Sequence, residues 1–186
     1  MGNMFYHVVT EKPMKLGQII FYDEYHHSGV YERVYALKEK VDDIYSNPQK
    51  YDEIKLDHHT KVALRELALE EVRKKDYPNY PSRLKSLYVS KTLEEAENWY
   101  NYFINLGRPT FQIVKVKVDG KSFTGDANNC FNGTKNKDKN LELSKIYWEG
   151  KDNLQGKKPI YETIVSGNIE VIEIIKENVE IWFLVI

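Results

Sequence analysis

Two ionisable residues stand inside apolar segments of the sequence, and their types suggest a site for polar chemistry. His7 lies within residues 4–9, "MFYHVV", and Glu162 lies in "PIYETIV" near the other end of the chain. Burying an ionisable group is costly unless a partner or a ligand uses it. For each residue taken alone, the simpler interpretation is a hydrogen-bonded core histidine and a glutamate that points into water.

Metal and thiol chemistry have weaker support in the sequence. The pairs His26-His27 and His58-His59 consist of adjacent residues, and neither HExxH nor a carboxylate spacing frames them. The single cysteine, Cys130, excludes an internal disulfide and lies in a segment rich in Gly and Asn with no nucleophile signature. Phosphate-binding loops of the GxxxxGK[ST] or GxGxxG type do not occur. The sequence therefore predicts no metal site.

The length and composition predict an ordinary globular protein. A chain of 186 residues is expected to form one domain, residues 1–186, with a substantial core. With a net charge of −1, the chain as a whole is not a general binder of polyanions, so any basic site is local. Because no signal-peptide layout and no membrane-length apolar run occur, we expect a cytoplasmic protein without a membrane partner.

Hydrophobic periodicity predicts the elements that position these residues. Predicted strands cover residues 4–9, 18–22, 85–90 and 110–118. Predicted helices cover residues 31–46, 61–75 with Thr60 as cap, a segment from the Thr92/Glu95 capping box to Gly107, and residues 141–148. The polar stretch 119–140 between them is predicted to be a long loop.

The last quarter of the sequence is predicted to be β. Strands are expected at residues 161–166, 169–175 and 179–185, with a tight hairpin at Gly167-Asn168 and a second turn at Glu177-Asn178. Helices thus come early and strands late, without βαβ alternation. This order indicates an α+β fold with a mainly antiparallel sheet.

Three segments, in chain order, resemble the motifs of the ADP-ribosyltransferase fold of the His-Tyr-Glu type. They are "FYHVV" with His7, "SLYVSKTLEEAENWY" with Tyr88, and "YETIVSG" followed by "IEVIEI" with Glu162. The resemblance implies a split antiparallel sheet and a catalytic set of His7, Tyr88 and Glu162. Over nearly its whole length the chain also resembles an uncharacterised family of bacterial proteins.

The resemblance further implies that NAD is the substrate. Glu162 would bind the ribose 2′-hydroxyl and stabilise an oxocarbenium-like transition state, as a carboxylate does in glycoside hydrolysis. Tyr88 and Trp99 would hold the nicotinamide ring by stacking and cation–π attraction, worth about 1 kcal/mol each. His7 would bind the adenosine ribose. Arg83 is a candidate bidentate donor to the pyrophosphate, and its alternative is a solvated loop charge.

Two positions depart from the pattern of that family. Ile160 stands where members that modify arginine carry a second Glu or Gln, and Val8 replaces a glycine that often follows the histidine. The sequence does not determine whether the acceptor is a protein or a nucleic acid. It also does not determine whether the ADP-ribosyl group is transferred to an acceptor or released by hydrolysis with water. Two further hypotheses remain: a module that binds a nucleotide or nucleic acid without turnover, and a structural or interaction protein in which His7 and Glu162 are merely packed or solvated.

Overall fold

The computed structural model describes residues 2–23 and 25–178. Its strands are β1 (Asn3–Val9), β2 (Ile19–Tyr22), β3 (Leu87–Val89), β4 (Gln112–Asp119), β5 (Ser122–Asp126), β6 (Tyr161–Val165) and β7 (Gly167–Glu177). Its α-helices are α1 (Gly29–Tyr35), α2 (Lys38–Ser46), α3 (His58–Asp76), α4 (Leu93–Asn105) and α5 (Lys137–Trp148).

The strands form two antiparallel sheets. The first has the order β1-β4-β7-β2 and the second the order β3-β6-β5. The sheets meet where Tyr6 of β1 and Ser90, just after β3, exchange two backbone hydrogen bonds of 2.9 and 2.7 Å. The predicted α+β class with antiparallel sheets is therefore confirmed.

Strand β4 runs through the middle of the first sheet and contributes to two cores. On one face, Val114, Val116 and Val118 are buried in a cluster that also contains residues of β3, β6 and β7. On the other face, Ile113 packs with Val8 under helix α4. This alternation is the period-2 pattern of a strand that is buried along one face and, on the other, at Ile113 beneath α4, and it fixes the register of β1 against β4.

Helix α4 covers the first sheet and follows its sequence signals closely. The Thr92 hydroxyl caps it by accepting a hydrogen bond from the Glu95 backbone at 3.2 Å. The Glu95 carboxylate accepts from the Lys91 backbone N–H instead of completing the predicted box with Thr92. Gly107, with φ of +70°, follows the end of the helix in the left-handed conformation that glycine tolerates.

Helix α3 begins earlier than predicted. The Asp57 carboxylate accepts a hydrogen bond from the Thr60 backbone at 2.8 Å and is the cap, while Thr60 lies buried in the first turn. Along α3, Leu64 packs against α1 and α2, and Leu69 packs against Trp148 of α5. The helix is therefore the element against which α1, α2 and α5 pack.

The single helix predicted over residues 31–46 is wrong, because the chain forms α1 and α2 with a break between them. Leu37 has φ of −100° and ψ of 4°, outside helical values, and precedes the first residue of α2. Val34, Val41 and Ile44 nevertheless share one core with Leu37. The apolar spacing continues across the break, and for this reason the sequence pattern does not show it.

The long loop predicted over residues 119–140 is also wrong. It contains β5, whose Phe123 lies opposite Ile164 of β6, and the first turn of α5. The helix begins at Lys137 because Asn136 caps it, accepting from the Lys139 backbone at 2.9 Å. Strand β5 is short and has one large apolar side chain, and the first turn of α5 is polar. Neither segment therefore shows the hydrophobic periodicity from which a strand or a helix is predicted.

The predicted hairpin at Gly167-Asn168 does not form. Strand β6 lies in the second sheet and β7 in the first, so the chain crosses between the sheets at Ser166. Gly167 has φ of +100°, and a Cβ placed on Gly120 would come within 1.9 Å of the Ser166 carbonyl oxygen. The two glycines permit a close crossing of main chains. The predicted strand at 169–175 lies within β7, and the one at 179–185 lies outside the described residues.

Candidate functional site

His7 lies in the middle of β1, opposite Val114 of β4. Its Nδ1 is 2.7 Å from the carbonyl oxygen of Tyr88. Burial lowers the pKa of His7 to about 4, against the opposing effect of this hydrogen bond. The imidazole is therefore neutral at pH 7. Because a carbonyl only accepts, Nδ1 carries the proton and Nε2 is left as an acceptor.

Tyr88 lies between His7 and Arg83 and contacts both. It lies in β3, and its side chain is 36% exposed. The guanidinium carbon of Arg83 lies 5.4 Å from the centroid of its ring. Desolvation raises the pKa of Tyr88, so the phenol stays protonated. Its main chain holds His7, and its ring meets the Arg83 cation.

Arg83 begins a short 3-10 helix, Arg83–Lys85, that takes the place of the first residue of the predicted strand 85–90. The Ser82 hydroxyl caps this turn by accepting from the Leu84 backbone at 3.2 Å. Arg83 is 6% exposed, so the alternative of a solvated loop charge is wrong.

All the N–H groups of Arg83 are directed at partners. Nε and Nη2 donate to the two oxygens of Glu66 at 3.0 and 3.3 Å, and Nη2 also lies 3.9 Å from Cys130 Sγ. Nη1 donates to the Tyr147 hydroxyl at 2.5 Å and to Glu162 Oε1. An anion such as a pyrophosphate would have to displace one of these partners, and this role for Arg83 stays a prediction.

Glu162 is the second residue of β6, and its side chain is 13% exposed. Its Oε1 accepts hydrogen bonds from Arg83 Nη1 and from the Tyr147 hydroxyl, the latter at 2.7 Å. Within residues 2–23 and 25–178, no donor is bonded to Oε2. Glu162 therefore does not simply point into water: Oε1 is fixed, and Oε2 has no partner in the described part of the chain.

Trp99 lies on α4, beside the strand that carries Glu162. Its Nε1 donates to the carbonyl oxygen of Tyr161 at 3.3 Å. Its ring stacks on Phe103 with centroids 5.6 Å apart and meets Tyr102 edge-on at 5.7 Å. The structure thus brings the predicted residues together: His7, Tyr88, Arg83 and Glu162 form a connected series, and Trp99 is bonded to the neighbour of Glu162.

Sequence reasoning missed Glu66 and Tyr147, the two buried residues that complete this cluster. Glu66 on α3 is 3% exposed and lies between two arginines, because Arg65 Nε also donates to its Oε1 at 2.9 Å. Burial raises the pKa of Glu66, but Arg83 and Arg65 outweigh burial and lower it, so the carboxylate is charged. The only signal was the helical spacing of Glu66, Glu70 and Arg73, a polar stripe beside an apolar one.

Two clefts on the surface lie away from the cluster. One lies between α2 and α3 and includes Val41, Leu67 and Lys74. The other lies at the end of the first sheet, beside Gly2 and Lys117. In the described part of the chain, no group of three or more His, Cys, Asp or Glu side chains is placed to hold a metal ion. No helix of that part is long and apolar enough to cross a bilayer.

The fold and the site define an α+β protein with two joined antiparallel sheets and a buried ion-pair cluster beside the junction. Over residues 5–177 the chain matches the family model described as protein of unknown function (DUF2441), and it belongs to that family. No curated protein matches the chain. The expected membership of an uncharacterised family is therefore confirmed.

Proposed function

We propose that the protein binds NAD at this cluster and cleaves the bond between nicotinamide and ribose. The observation that carries the proposal is the connected series His7–Tyr88–Arg83–Glu162, assembled from β1, β3, the 3-10 helix and β6. Three of these residues, His7, Tyr88 and Glu162, are those that the resemblance to ADP-ribosyltransferases singles out. The ribosyl group would pass to a protein, a nucleic acid or water.

The chemistry of the proposed reaction requires a carboxylate with one available oxygen. Cleavage builds positive charge on the ribose, and a hydrogen bond from the 2′-hydroxyl to a carboxylate strengthens as that charge grows. Oε2 of Glu162, which has no partner among the described residues, would accept this bond. The Nε2 lone pair of His7 would accept a hydroxyl of the second ribose.

The aromatic residues supply surfaces for the leaving group. The Tyr88 ring is 36% exposed, and Trp99 is held at Tyr161, the residue before Glu162. A pyridinium cation between flat rings gains stacking and cation–π energy, about 1 kcal/mol for each ring. Nicotinamide leaves as a neutral molecule, so these contacts favour the charged ground state and serve chiefly to bind and orient NAD.

A second candidate is a module that binds a nucleotide without cleaving it. The observation in its favour is the engagement of Glu162 Oε1 by both Arg83 and Tyr147, which makes the carboxylate part of a buried ion-pair cluster. Such a module would keep its affinity for NAD when Glu162 loses its charge.

The test is nicotinamide release from NAD by the purified protein, with NAD binding followed by calorimetry. Glu162→Gln keeps the shape of the side chain and an oxygen that accepts from Tyr147. Glu173→Gln, at an exposed position of β7, is the matched control. Release that is lost only in Glu162→Gln, with binding kept, supports the enzyme. Binding without release supports the module, and absence of binding contradicts both.

A further inference from the structure

We propose that Glu66, Arg83 and Tyr147 act as a clamp that fixes Oε1 of Glu162 and leaves Oε2 free for a hydroxyl of the ligand. Glu66 and Tyr147 are then positioning residues, which act on the reaction through Glu162. The inference rests on the proposed function, because it assigns a purpose to the orientation of that carboxylate.

The first arm of the clamp comes from α3. Glu66 receives Nε and Nη2 of Arg83 on its two oxygens, so the plane of the guanidinium is set by a two-point contact. The remaining terminal nitrogen, Nη1, is thereby aimed at Glu162. Arg65 holds Glu66 from the other side.

The second arm comes from α5. The hydroxyl of Tyr147 accepts from Arg83 Nη1 at 2.5 Å and lies 2.7 Å from Glu162 Oε1. Because the hydroxyl has one proton and the arginine can only donate, that proton goes to the carboxylate. Tyr147 is 1% exposed, so no solvent competes for this hydrogen bond.

Both arms converge on one oxygen of one carboxylate, and stability alone does not require this. The two arginines and two glutamates carry no net charge together, and such buried ionic groups can often be replaced by apolar ones without loss of stability. A fixed carboxylate, in contrast, matters for a reaction whose rate depends on orientation, since small displacements are costly there.

Helix α3 contains a second buried pair that serves as the comparison. One turn after Glu66, Glu70 holds Arg73 by two hydrogen bonds of 3.0 and 2.9 Å. Glu70 is 7% exposed and contacts neither Arg83 nor Glu162; its other partners include the Ser82 hydroxyl. Glu66→Gln and Glu70→Gln therefore make the same chemical change in similar surroundings, with and without a direct hydrogen bond to Arg83; Glu70 reaches the Arg83 turn through the Ser82 hydroxyl.

The test compares Glu66→Gln, Tyr147→Phe and Glu70→Gln for NAD affinity, for nicotinamide release at saturating NAD and for stability in urea. We expect the maximal rate to fall about 100-fold in the first two variants, with the dissociation constant of NAD changed less than about twofold. We expect Glu70→Gln to lose stability but to keep the wild-type rate. Equal loss of rate in Glu66→Gln and Glu70→Gln would overturn the inference, because the effect would then follow stability.

Crystal structures of the same variants separate this inference from the proposed function. If the wild type neither binds nor cleaves NAD, the proposed function is wrong. The clamp is then tested by the orientation of the Glu162 side chain alone. A Glu162 side chain that turns away in Glu66→Gln and stays in place in Glu70→Gln supports the clamp. A Glu162 side chain that is unchanged in Glu66→Gln and Tyr147→Phe overturns it.

Discussion

The imidazole of His7 and the carbonyl oxygen of Tyr88 are joined by a hydrogen bond of 2.7 Å that links β1 of one sheet to β3 of the other. The adjacent residue Tyr6 makes the backbone bridge to Ser90. A side-chain hydrogen bond thus lies directly beside the main-chain contact between the sheets.

Stability is expected to fall as the pH drops from about 6.5 to about 4, partly because of His7. Burial lowers the pKa of His7 to about 4 in the folded chain, so in this window the unfolded chain binds one more proton and the free energy of unfolding decreases with decreasing pH. The slope from His7 is at most about 1.4 kcal/mol per pH unit. Urea unfolding of wild type and His7→Asn between pH 4 and 8 measures it.

The substitution His7→Asn places a non-titrating N–H donor near the position of Nδ1. The difference between the two stability curves therefore isolates the histidine from the carboxylates that titrate in the same range. A difference that does not change between pH 4 and 6.5 would contradict the lowered pKa of His7.

Replacing Trp99 is expected to weaken NAD binding. Trp99→Leu removes the flat ring that we propose lies against nicotinamide, and the loss of about 1 kcal/mol raises the dissociation constant about fivefold. Trp99→Phe keeps an aromatic face and should change the constant less. Calorimetric titration with NAD measures both variants, and equal affinities of wild type and Trp99→Leu would remove Trp99 from the site.

Asp126 is expected to hold the segment before Glu162 in place. Burial raises its pKa, but hydrogen bonds from Asn153, Asn128 and Ile160 outweigh burial and lower the pKa to about 2. Asp126→Asn replaces one acceptor by a donor that faces N–H groups, so we expect a loss of about 1–3 kcal/mol in urea unfolding. Asp152→Asn, at an exposed position, is the control and should cost far less.

Gly120 is expected to tolerate no side chain. A Cβ at this position would lie 1.9 Å from the Ser166 carbonyl oxygen, so Gly120→Ala forces the main chains of the crossing apart. We expect a loss of about 1–3 kcal/mol, as for other substitutions that overpack a site. The control is Gly29→Ala at the first residue of α1, where nothing lies within 4 Å of the added Cβ. Thermal unfolding of both variants measures the difference, and equal melting temperatures would contradict the close crossing.

The elements that the sequence predicted well are those whose signal is local. The strand around His7 and the cap of α4 at Thr92 follow from alternation and from a side chain that satisfies a backbone N–H nearby. The break at Leu37 and the strand around Phe123 were missed because the residues concerned are fixed by contacts with distant elements. Periodicity contains no information on such contacts.

The candidate site likewise contains residues that stand out in the sequence and residues that only the fold identifies. His7 and Glu162 stand out in the sequence because they are ionisable residues in apolar strands. The partners of Arg83 do not stand out: Glu66 is one of many charged residues on a helix, and Tyr147 is one of 14 tyrosines. Their importance depends on the packing of α3 and α5 against β6, which brings together residues up to 96 positions apart, as from Glu66 to Glu162.

The passage of the chain from β6 to β7 through Ser166 has a consequence for folding. One continuous segment supplies a strand to each sheet, and β7 pairs with both β4 and β2. If β6 or β7 separates from its sheet, the adjoining strand in the other sheet is displaced as well. The two sheets are therefore expected to melt in a single cooperative transition. Cleavage of the main chain at Ser166 leaves the passage from β4 to β5 and the Tyr6–Ser90 bridge in place. We therefore expect the cleaved protein to melt at a lower temperature but still in one transition in calorimetry.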